Sequence, residues 1–376
     1  MLVLGIMSGT SIDGVDYALC EVTRNSVRLV KLWSREFPKP LRSRLHAAAS
    51  NECSAHQLAQ LHHDLGRLYA IQAKRLNSRA TLVGLHGQTV FHNPDRKAPA
   101  TLQIGEPAYL AEALHVPVVS NFRSGDIAAG GQGAPLATLF HRIVFSRRSQ
   151  HVCVNNLGGI SNVTSLDWRA KGAREPRTLA FDTGPANVLI DVAMREFTRG
   201  RLSFDADGTW ARRGKLSETW LKRLLTHSYF RKPAPKSTGR ELFGETFWQK
   251  ERVFLKRGNL SQYDVIATLT EFTAQSIALN YSLHLTSAPD AVFLCGGGAC
   301  NPELVSRISK ALRENHPGIR VATISELDWP PNAVEPAAFA LLAFYRWENR
   351  AANLPATTGA RPPVVLGALT LHGAQQ

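Results

Sequence analysis

The sequence predicts an α/β protein of two similar domains. Residues 2–22 give the first reason. An apolar run, residues 2–6, stops at a loop of small residues within Gly5-Ile6-Met7-Ser8-Gly9-Thr10-Ser11-Ile12-Asp13-Gly14-Val15-Asp16. A second run then alternates, with Val15, Tyr17 and Leu19 on one face and Asp16, Ala18 and Cys20 on the other. That is strand, turn, strand, with Asp13-Gly14 as the turn signal. The second reason is the same pattern later in the chain. Residues 151–156 lead into Leu157-Gly158-Gly159-Ile160-Ser161 and on to residues 162–166. A third glycine cluster, Gly296-Gly297-Gly298, follows the apolar run 291–295 and precedes a helix start at Asn301-Pro302-Glu303. Small side chains let backbone N–H groups approach an anion, and strand, glycines, helix is a position where a nucleotide can be held. Two phosphate-type hairpins, one in each half, suggest two similar domains facing a nucleotide. An ordinary polar hairpin loop is the competing reading of either one alone.

The elements follow in order. Residues 2–6, 15–22 and 27–33 lie close enough to form an antiparallel meander. A helix spans 55–76, where Leu58, Leu61, Leu65, Leu68 and Leu76 recur at helical spacing and Ser54 with Gln57 forms a capping box. Strands are expected at 82–85, 101–104 and 116–120, with a helix at 107–114. The run 130–135 reads as a hinge or domain junction. A strand at 178–181 leads to a helix at 185–197, with Pro185 in its first turn. Further helices are expected at 218–226, 244–256, 263–285, 302–314 and 335–350, with a strand at 319–324. The segment 231–240 reads as a basic surface loop, and the tail after 353 as irregular surface chain.

Composition bounds the function. The 376 residues suffice for about two domains. No run reaches the length of a membrane span, and the apolar start is too short and lacks a basic leader for a signal peptide. Five cysteines with no close pair argue against a disulfide framework or structural zinc and suit a reducing cytoplasm. Net charge is +14, but the basic residues are dispersed and do not interleave with aromatics, so no nucleic-acid partner is expected. Attraction of anionic small molecules is the better use of the field.

Three segments carry candidate chemistry. Phe181-Asp182-Thr183-Gly184-Pro185 puts a carboxylate at a strand end before a helix, where the helix N-terminus would stabilise an anionic base. A turn with Thr183 as the helix cap is the alternative. His86-Gly87-Gln88-Thr89 leaves a strand and could contact a polar substrate such as a sugar. Arg123, after residues 116–120, could hold a carboxylate or phosphate through two hydrogen bonds, or pair with Asp126 across two loops. Asp13 and Asp16 could position a metal or a substrate hydroxyl. The histidines have no zinc spacing, and a Walker A loop, a complete dinucleotide fingerprint and a GxSxG elbow are absent.

These motifs together resemble the bacterial anhydro-N-acetylmuramic acid kinases. The resemblance runs through residues 5–16, His86-Gly87-Gln88-Thr89, Thr101-Leu102-Gln103-Ile104-Gly105, residues 126–136, residues 156–162, residues 181–185, Lys236-Ser237-Thr238-Gly239-Arg240-Glu241 and Gly296-Gly297-Gly298. It implies the two-domain actin-like ATPase fold of acetate and sugar kinases, with an interdomain nucleotide cleft. The domains would be 1–132, with 340–376 a candidate addition, and 133–339. It implies that water opens the internal bridge of 1,6-anhydro-N-acetylmuramic acid at the anomeric carbon. The freed six-position oxygen then takes the γ-phosphoryl group of ATP. Asp182 is the implied base. Gly9, Thr10, Ser11, Ile12, Asp13, Gly14, Val15, Asp16, Gly158, Gly159, Gly296, Gly297 and Gly298 are the implied ATP contacts, with Mg²⁺ as cofactor and no metal ligand assigned. Gln88, Arg123 and Glu335 are the candidate substrate contacts. A homodimer is implied by the resemblance alone. The chain departs from the pattern at Asn121, where Asp is expected, and at Ala186, where Gly is expected. Rival readings are a kinase of another amino sugar or carboxylate and a non-catalytic ATP-switched protein.

Overall fold

A computed structural model of the chain describes residues 1–9, 12–94, 97–255 and 259–373. The contacts divide it into two compact units, Met1–Val144 with Asn332–Gln376, and Phe145–Pro331. The first unit opens with β1 (Leu2–Ser8), β2 (Gly14–Val22), β3 (Val27–Glu36), α1 (Lys39–Ala49) and α2 (Ala55–Leu76). It continues with β4 (Leu82–Asn93), β5 (Ala100–Ile104), α3 (Ala108–Leu114), β6 (Val118–Ser120), α4 (Phe122–Ala128) and α5 (Thr138–Val144). The second unit begins with β7 (His151–Leu157), β8 (Ile160–Asp167), β9 (Arg177–Pro185), α6 (Val188–Phe197), α7 (Thr209–Arg213) and α8 (Glu218–Leu225). It ends with α9 (Glu245–Leu255), α10 (Gln262–His284), β10 (Ala291–Cys295), α11 (Pro302–Asn315) and β11 (Arg320–Thr323). The chain then returns to the first unit as α12 (Val334–Trp347), α13 (Pro355–Thr358) and β12 (Ala368–Thr370).

Each unit carries the same five-strand plan. In the first, the order is β3-β2-β1-β4-β6, with β1, β2 and β3 antiparallel and β4 and β6 parallel to β1. In the second it is β9-β8-β7-β10-β11, with the same strand directions. The first sheet adds β12 beside β6 and β5 beside β4. A meander followed by parallel strands leaves the carboxyl ends of β1, β4 and β6 together in one unit, and those of β7 and β10 together in the other. Ligands of α/β sheets bind at such ends.

Local chemistry explains the elements that position these ends. Ser54 accepts the Gln57 N–H while the Gln57 side chain accepts the Ser54 N–H, which starts α2 where the capping box placed it. Helix α12 is apolar all round and is buried on most of its surface. It packs on the first sheet at glycines: a Cβ on Gly5 would lie 1.8 Å from the Pro336 carbonyl oxygen, and one on Gly84 2.3 Å from that of Phe339.

Several expectations change. Helices α1, α4, α5 and α7 were not expected. Pro40 sits in the first turn of α1, where no N–H is needed. The glycine run 130–135 is no junction between units. It lies inside the first unit, where the buried Asp126 carboxylate accepts the Gly133 N–H at 2.8 Å. The contact division falls at 144/145 and 331/332 rather than at 132/133 and 339/340, because α5 and all of α12 pack with the first sheet. The tail is not surface chain throughout. Asn353 and Thr358 are buried and donate to Asp126 at 2.7 Å each, and β12 pairs with β6. Strand β4 runs on through 86–93, with a bulge at Gly87 (φ +77), because β5 supplies a partner for it.

Candidate active site

In the first unit, the ends of β1, β4 and β6 bring the expected side chains together. Ser8 and Gln88 are paired neighbours on β1 and β4. Ser8 Oγ lies 2.9 Å from the Tyr69 hydroxyl and donates to the Gly87 carbonyl at 3.1 Å. The Gln88 side chain is fully buried, and its Nε2 donates to the Gly9 carbonyl at 3.0 Å. Its Oε1 is buried without a hydrogen-bond partner among the described residues. Ile12 donates its N–H to Gly9 at 3.1 Å and adopts a left-handed conformation, φ 61. Ile12 and Val15 turn their side chains into the core, so only their backbone faces outward chemistry. Thr10 and Ser11 lie outside the described residues. Gly14 is dictated by packing, since a Cβ would lie 2.3 Å from the Arg35 carbonyl oxygen. Asp13 is exposed, whereas the Asp16 carboxylate accepts from Ser34 Oγ and from Asn332 Nδ2 at 3.2 Å. Burial raises the Asp16 pKa; the two hydrogen bonds oppose that and Asp13 adds to it.

Arg123 sits in α4 rather than in a loop, and it does not pair with Asp126. Its Nε and Nη2 donate to His86 Nε2 at 3.1 and 2.8 Å, and its Nη1 donates to the Gly133 carbonyl at 2.7 Å. His86 Nδ1–H donates to Gly87 O at 2.8 Å, so the ring must be neutral. Burial and the Arg123 charge hold its pKa well below the usual histidine range. Burial lowers Arg123 to about 10, opposed by the charges of Glu335 and Asp126. Glu335, in the first turn of α12, has its pKa raised by burial, with Arg123 acting against the shift and Asp16 adding to it. His86 as the seat of Arg123 was not legible in the sequence, where it was one polar residue of a substrate-type segment.

In the second unit, the β7–β8 turn carries Gly158 and Gly159. Their carbonyls are held by the β9–α6 connection: Asn187 N donates to Gly158 O at 3.1 Å, and Ala186 N and Val188 N to Gly159 O at 2.9 and 3.1 Å. A Cβ at Gly158 or Gly159 would meet nothing closer than 3.5 Å, so the folded chain itself does not need glycine there. Gly296 does need it, with φ +78 and a Cβ position 2.2 Å from Asn156 Oδ1. Gly298 lies against Leu157 and Asn187, while nothing lies within 4 Å of a Cβ on Gly297. The two glycine clusters thus share one end of the sheet, with Asn187 between them.

Asp182 stands at that end, in β9, cross-strand from Asn162. The expected helix at 185–197 begins only at Val188, and Pro185 is the last residue of β9. Asp182 is therefore not at a helix N-terminus, and the dipole argument for its charge fails. Its Oδ2 accepts the Thr238 N–H at 2.8 Å, its N–H donates to Lys236 O at 2.9 Å, and its carbonyl accepts from the Tyr229 hydroxyl at 2.8 Å. Burial raises its pKa to about 7; the Thr238 N–H and Lys236 act against the shift, and Glu241 adds to it. In the sequence, Lys236 and Thr238 stood in a segment read as a basic surface loop and in one motif of the resemblance, with no role assigned to either.

A duplicated meander with parallel strands and glycine turns at the strand ends places this chain in the fold class of α/β phosphotransferases and ATPases that includes the acetate and sugar kinases. Within that class, the model of the anhydro-N-acetylmuramic acid kinase family matches residues 1–372, and the chain belongs to that family. An anhydro-N-acetylmuramic acid kinase of Acaryochloris marina is 40% identical over 382 residues, covering 99% of this chain and 100% of its own. One from Idiomarina loihiensis is 42% identical over 378 residues, covering 98% of each. Among solved structures, the activator of the 2-hydroxyisocaproyl-CoA dehydratase from Clostridium difficile with bound ADPNP aligns over 93% of this chain and 96% of its own. Its identity is 11% and the TM-score 0.43.

Proposed function

We propose that this chain hydrates and phosphorylates 1,6-anhydro-N-acetylmuramic acid, using ATP and giving N-acetylmuramic acid 6-phosphate and ADP, a step in the recycling of peptidoglycan. Membership of the family over residues 1–372 carries the reading. The Asp182 carboxylate supports it: a group with a pKa near 7 can accept a proton at neutral pH and return it. Asp182 takes a proton from water as the water oxygen bonds to the anomeric carbon. The bond from that carbon to the six-position oxygen breaks, and that oxygen receives the γ-phosphoryl group. The backbone of Gly9 to Asp16 and the glycines at 158, 159 and 296–298 are assigned to ATP. Gln88, with a buried acceptor still to satisfy, Arg123 and Glu335 are assigned to polar groups of the sugar. Mg²⁺ supplies charge neutralisation for the phosphates. Asp13, exposed at the end of the β1–β2 loop, is a carboxylate that could help to position the ion. We assign the chain to the cytoplasm, where ATP is available and its five free cysteines stay reduced; no helix among the described residues is long and apolar enough to cross a membrane. A homodimer is the expected assembly, and sedimentation velocity tests it.

The deciding experiment supplies ATP, Mg²⁺ and the anhydro sugar in heavy-oxygen water and reads products by mass spectrometry. The expected product is ring-opened, phosphorylated and labelled at the anomeric position. Phosphorylation of N-acetylglucosamine without turnover of the anhydro sugar would overturn the assignment. Two further outcomes are expected. Because Asp182 must be ionised to act, log(kcat/KM) against pH rises with unit slope up to an acid limb near pH 7 and levels above it. A flat profile between pH 5 and 8 would remove Asp182 as the titrating base. Gly159→Ala keeps the melting temperature within about 2 °C, since the Cβ meets only Val188 at 3.8 Å. It raises KM for ATP at least about tenfold, on the order of 1.4 kcal/mol, because the methyl occupies the phosphate's approach. An unchanged KM would remove Gly159 from the nucleotide site.

A further inference from the structure

We infer that Lys236 is a positioning residue for Asp182: its ammonium fastens the segment that grips Asp182 and sets a buried positive charge on that segment. The inference rests on the reading of Asp182 as base. Beyond its place in the β8–β9 ladder, Asp182 is held by residues 229–238. The Tyr229 hydroxyl takes its carbonyl, the Lys236 carbonyl takes its N–H, and the Thr238 N–H takes Oδ2. Lys236 closes that segment on itself. Its Nζ donates to the carbonyls of Tyr229 at 3.2 Å and Phe230 at 2.9 Å, and lies 3.0 Å from His284 Nε2, which also lies 3.0 Å from the Phe230 carbonyl. It lies 4.7 Å from the centre of the Tyr229 ring. Lys236 is 6% exposed. Lysines are seldom so buried unless paired, yet among the described residues no carboxylate oxygen lies within 4 Å of this one.

Two carbonyls take donors of Lys236 without cancelling its charge, and the titratable His284 stands beside them. The charged and titratable groups facing Asp182 are then Lys236, Glu241 and Tyr229. Glu241 favours the protonated form of Asp182 and Lys236 the ionised form. The same attraction acts on Lys236, whose pKa burial lowers to about 8, with Lys232 lowering it further and Asp182 opposing. At pH 7 the ammonium is therefore still charged while Asp182 titrates. In the proposed reaction the proton leaving water passes to the Asp182 carboxylate, and Lys236 neither gains nor loses one.

The test is the pH dependence of kcat/KM for the anhydro sugar in Lys236→Met, which keeps the length of the stem and removes the charge. The acid limb is expected to move up by about one pH unit, so that kcat/KM falls about fivefold at pH 7 and returns to within about threefold of wild type at pH 9. KM for ATP is expected to stay within about twofold. Lys236→Arg, which keeps the charge, is expected to hold the limb at the wild-type position. A loss of kcat in Lys236→Met that is equal at every pH, with the limb unmoved, would show a merely structural role and overturn the inference. If Lys236→Met does not fold, Lys236→Gln and a ¹³C-carboxylate NMR titration of Asp182 in that variant and in Lys236→Arg give the same discrimination. Failure of the underlying reading looks different: Asp182→Asn would itself turn over at the wild-type rate.

Discussion

Asp182→Asn is expected to bind ATP as the wild type does, to fold, and to lose kcat by about 10²–10⁴-fold, the range that removal of a general base produces. The size follows from what the site leaves in place. Asparagine still offers an oxygen to the Thr238 N–H, and the backbone bonds to Lys236 and Tyr229 are untouched. The loss is therefore one of proton acceptance and not of geometry. Stability supplies an independent check. The folded Asp182 pKa of about 7 lies above the ordinary 3.8, so between roughly pH 4 and pH 7 the folded state holds a proton that the unfolded state releases. Folding stability from this group is fully present below about pH 4 and is lost as pH rises through 7. The asparagine variant escapes that loss, so its melting temperature at pH 8 is expected to equal or exceed that of wild type. A variant that melts well below wild type at pH 8 would indicate disrupted structure, and its low kcat would then say nothing about the base. Wild-type turnover in a folded Asp182→Asn protein would remove Asp182 from the chemistry.

The parts of this fold that the sequence exposed are those with short-range causes. Alternating runs and glycine turns located both hairpins, and Ser54 with Gln57 fixed the start of α2. The glycine turns were legible by position, since Gly158 and Gly159 follow β7 and Gly296 follows β10, whereas Glu335 opens a helix. What was not legible depends on partners distant in sequence. Strand β4 extends past Gly87 only because β5 is there to pair with it. Arg123 rests on a neutral His86 that lies 37 positions earlier, and no pattern of charge or hydropathy announces a histidine as the acceptor for an arginine. Asp126 looked like the natural partner of Arg123, three residues away, but the returning tail claims it through Asn353 and Thr358. The environment of Asp182 likewise comes from 229–238, a segment whose prolines and lysines read as surface loop. The side chain of Lys236 is nevertheless buried, because its stem and ammonium have an aromatic ring and two carbonyls to meet.

The dependence of the first unit on its returning helix leads to the second large effect. Gly5→Ala is expected to destabilise the protein by at least about 3 kcal/mol, at or beyond the upper end of ordinary overpacking costs. Position 5 lies in the interior of β1, between β2 and β4, so the strand cannot move aside without losing both ladders. The added methyl would fall 1.8 Å from the Pro336 carbonyl oxygen and 2.9 Å from the Ala340 nitrogen, both backbone atoms of α12. Rotamer change offers no relief there, and the only adjustment is to lift the helix off the sheet. That adjustment also displaces Glu335, the residue before Pro336, whose carboxylate is electrostatically coupled to Arg123 and Asp16. Urea unfolding of Gly5→Ala beside Gly297→Ala separates a specific clash from a general intolerance of alanine at glycine positions. Gly297 has nothing within 4 Å of a Cβ, so its alanine variant is expected to stay within about 0.5 kcal/mol of wild type. Equal stabilities for the two variants would mean that α12 does not sit on β1 as closely as these contacts require. A large difference would tie the integrity of the first sheet to α12, and with it the placement of Glu335.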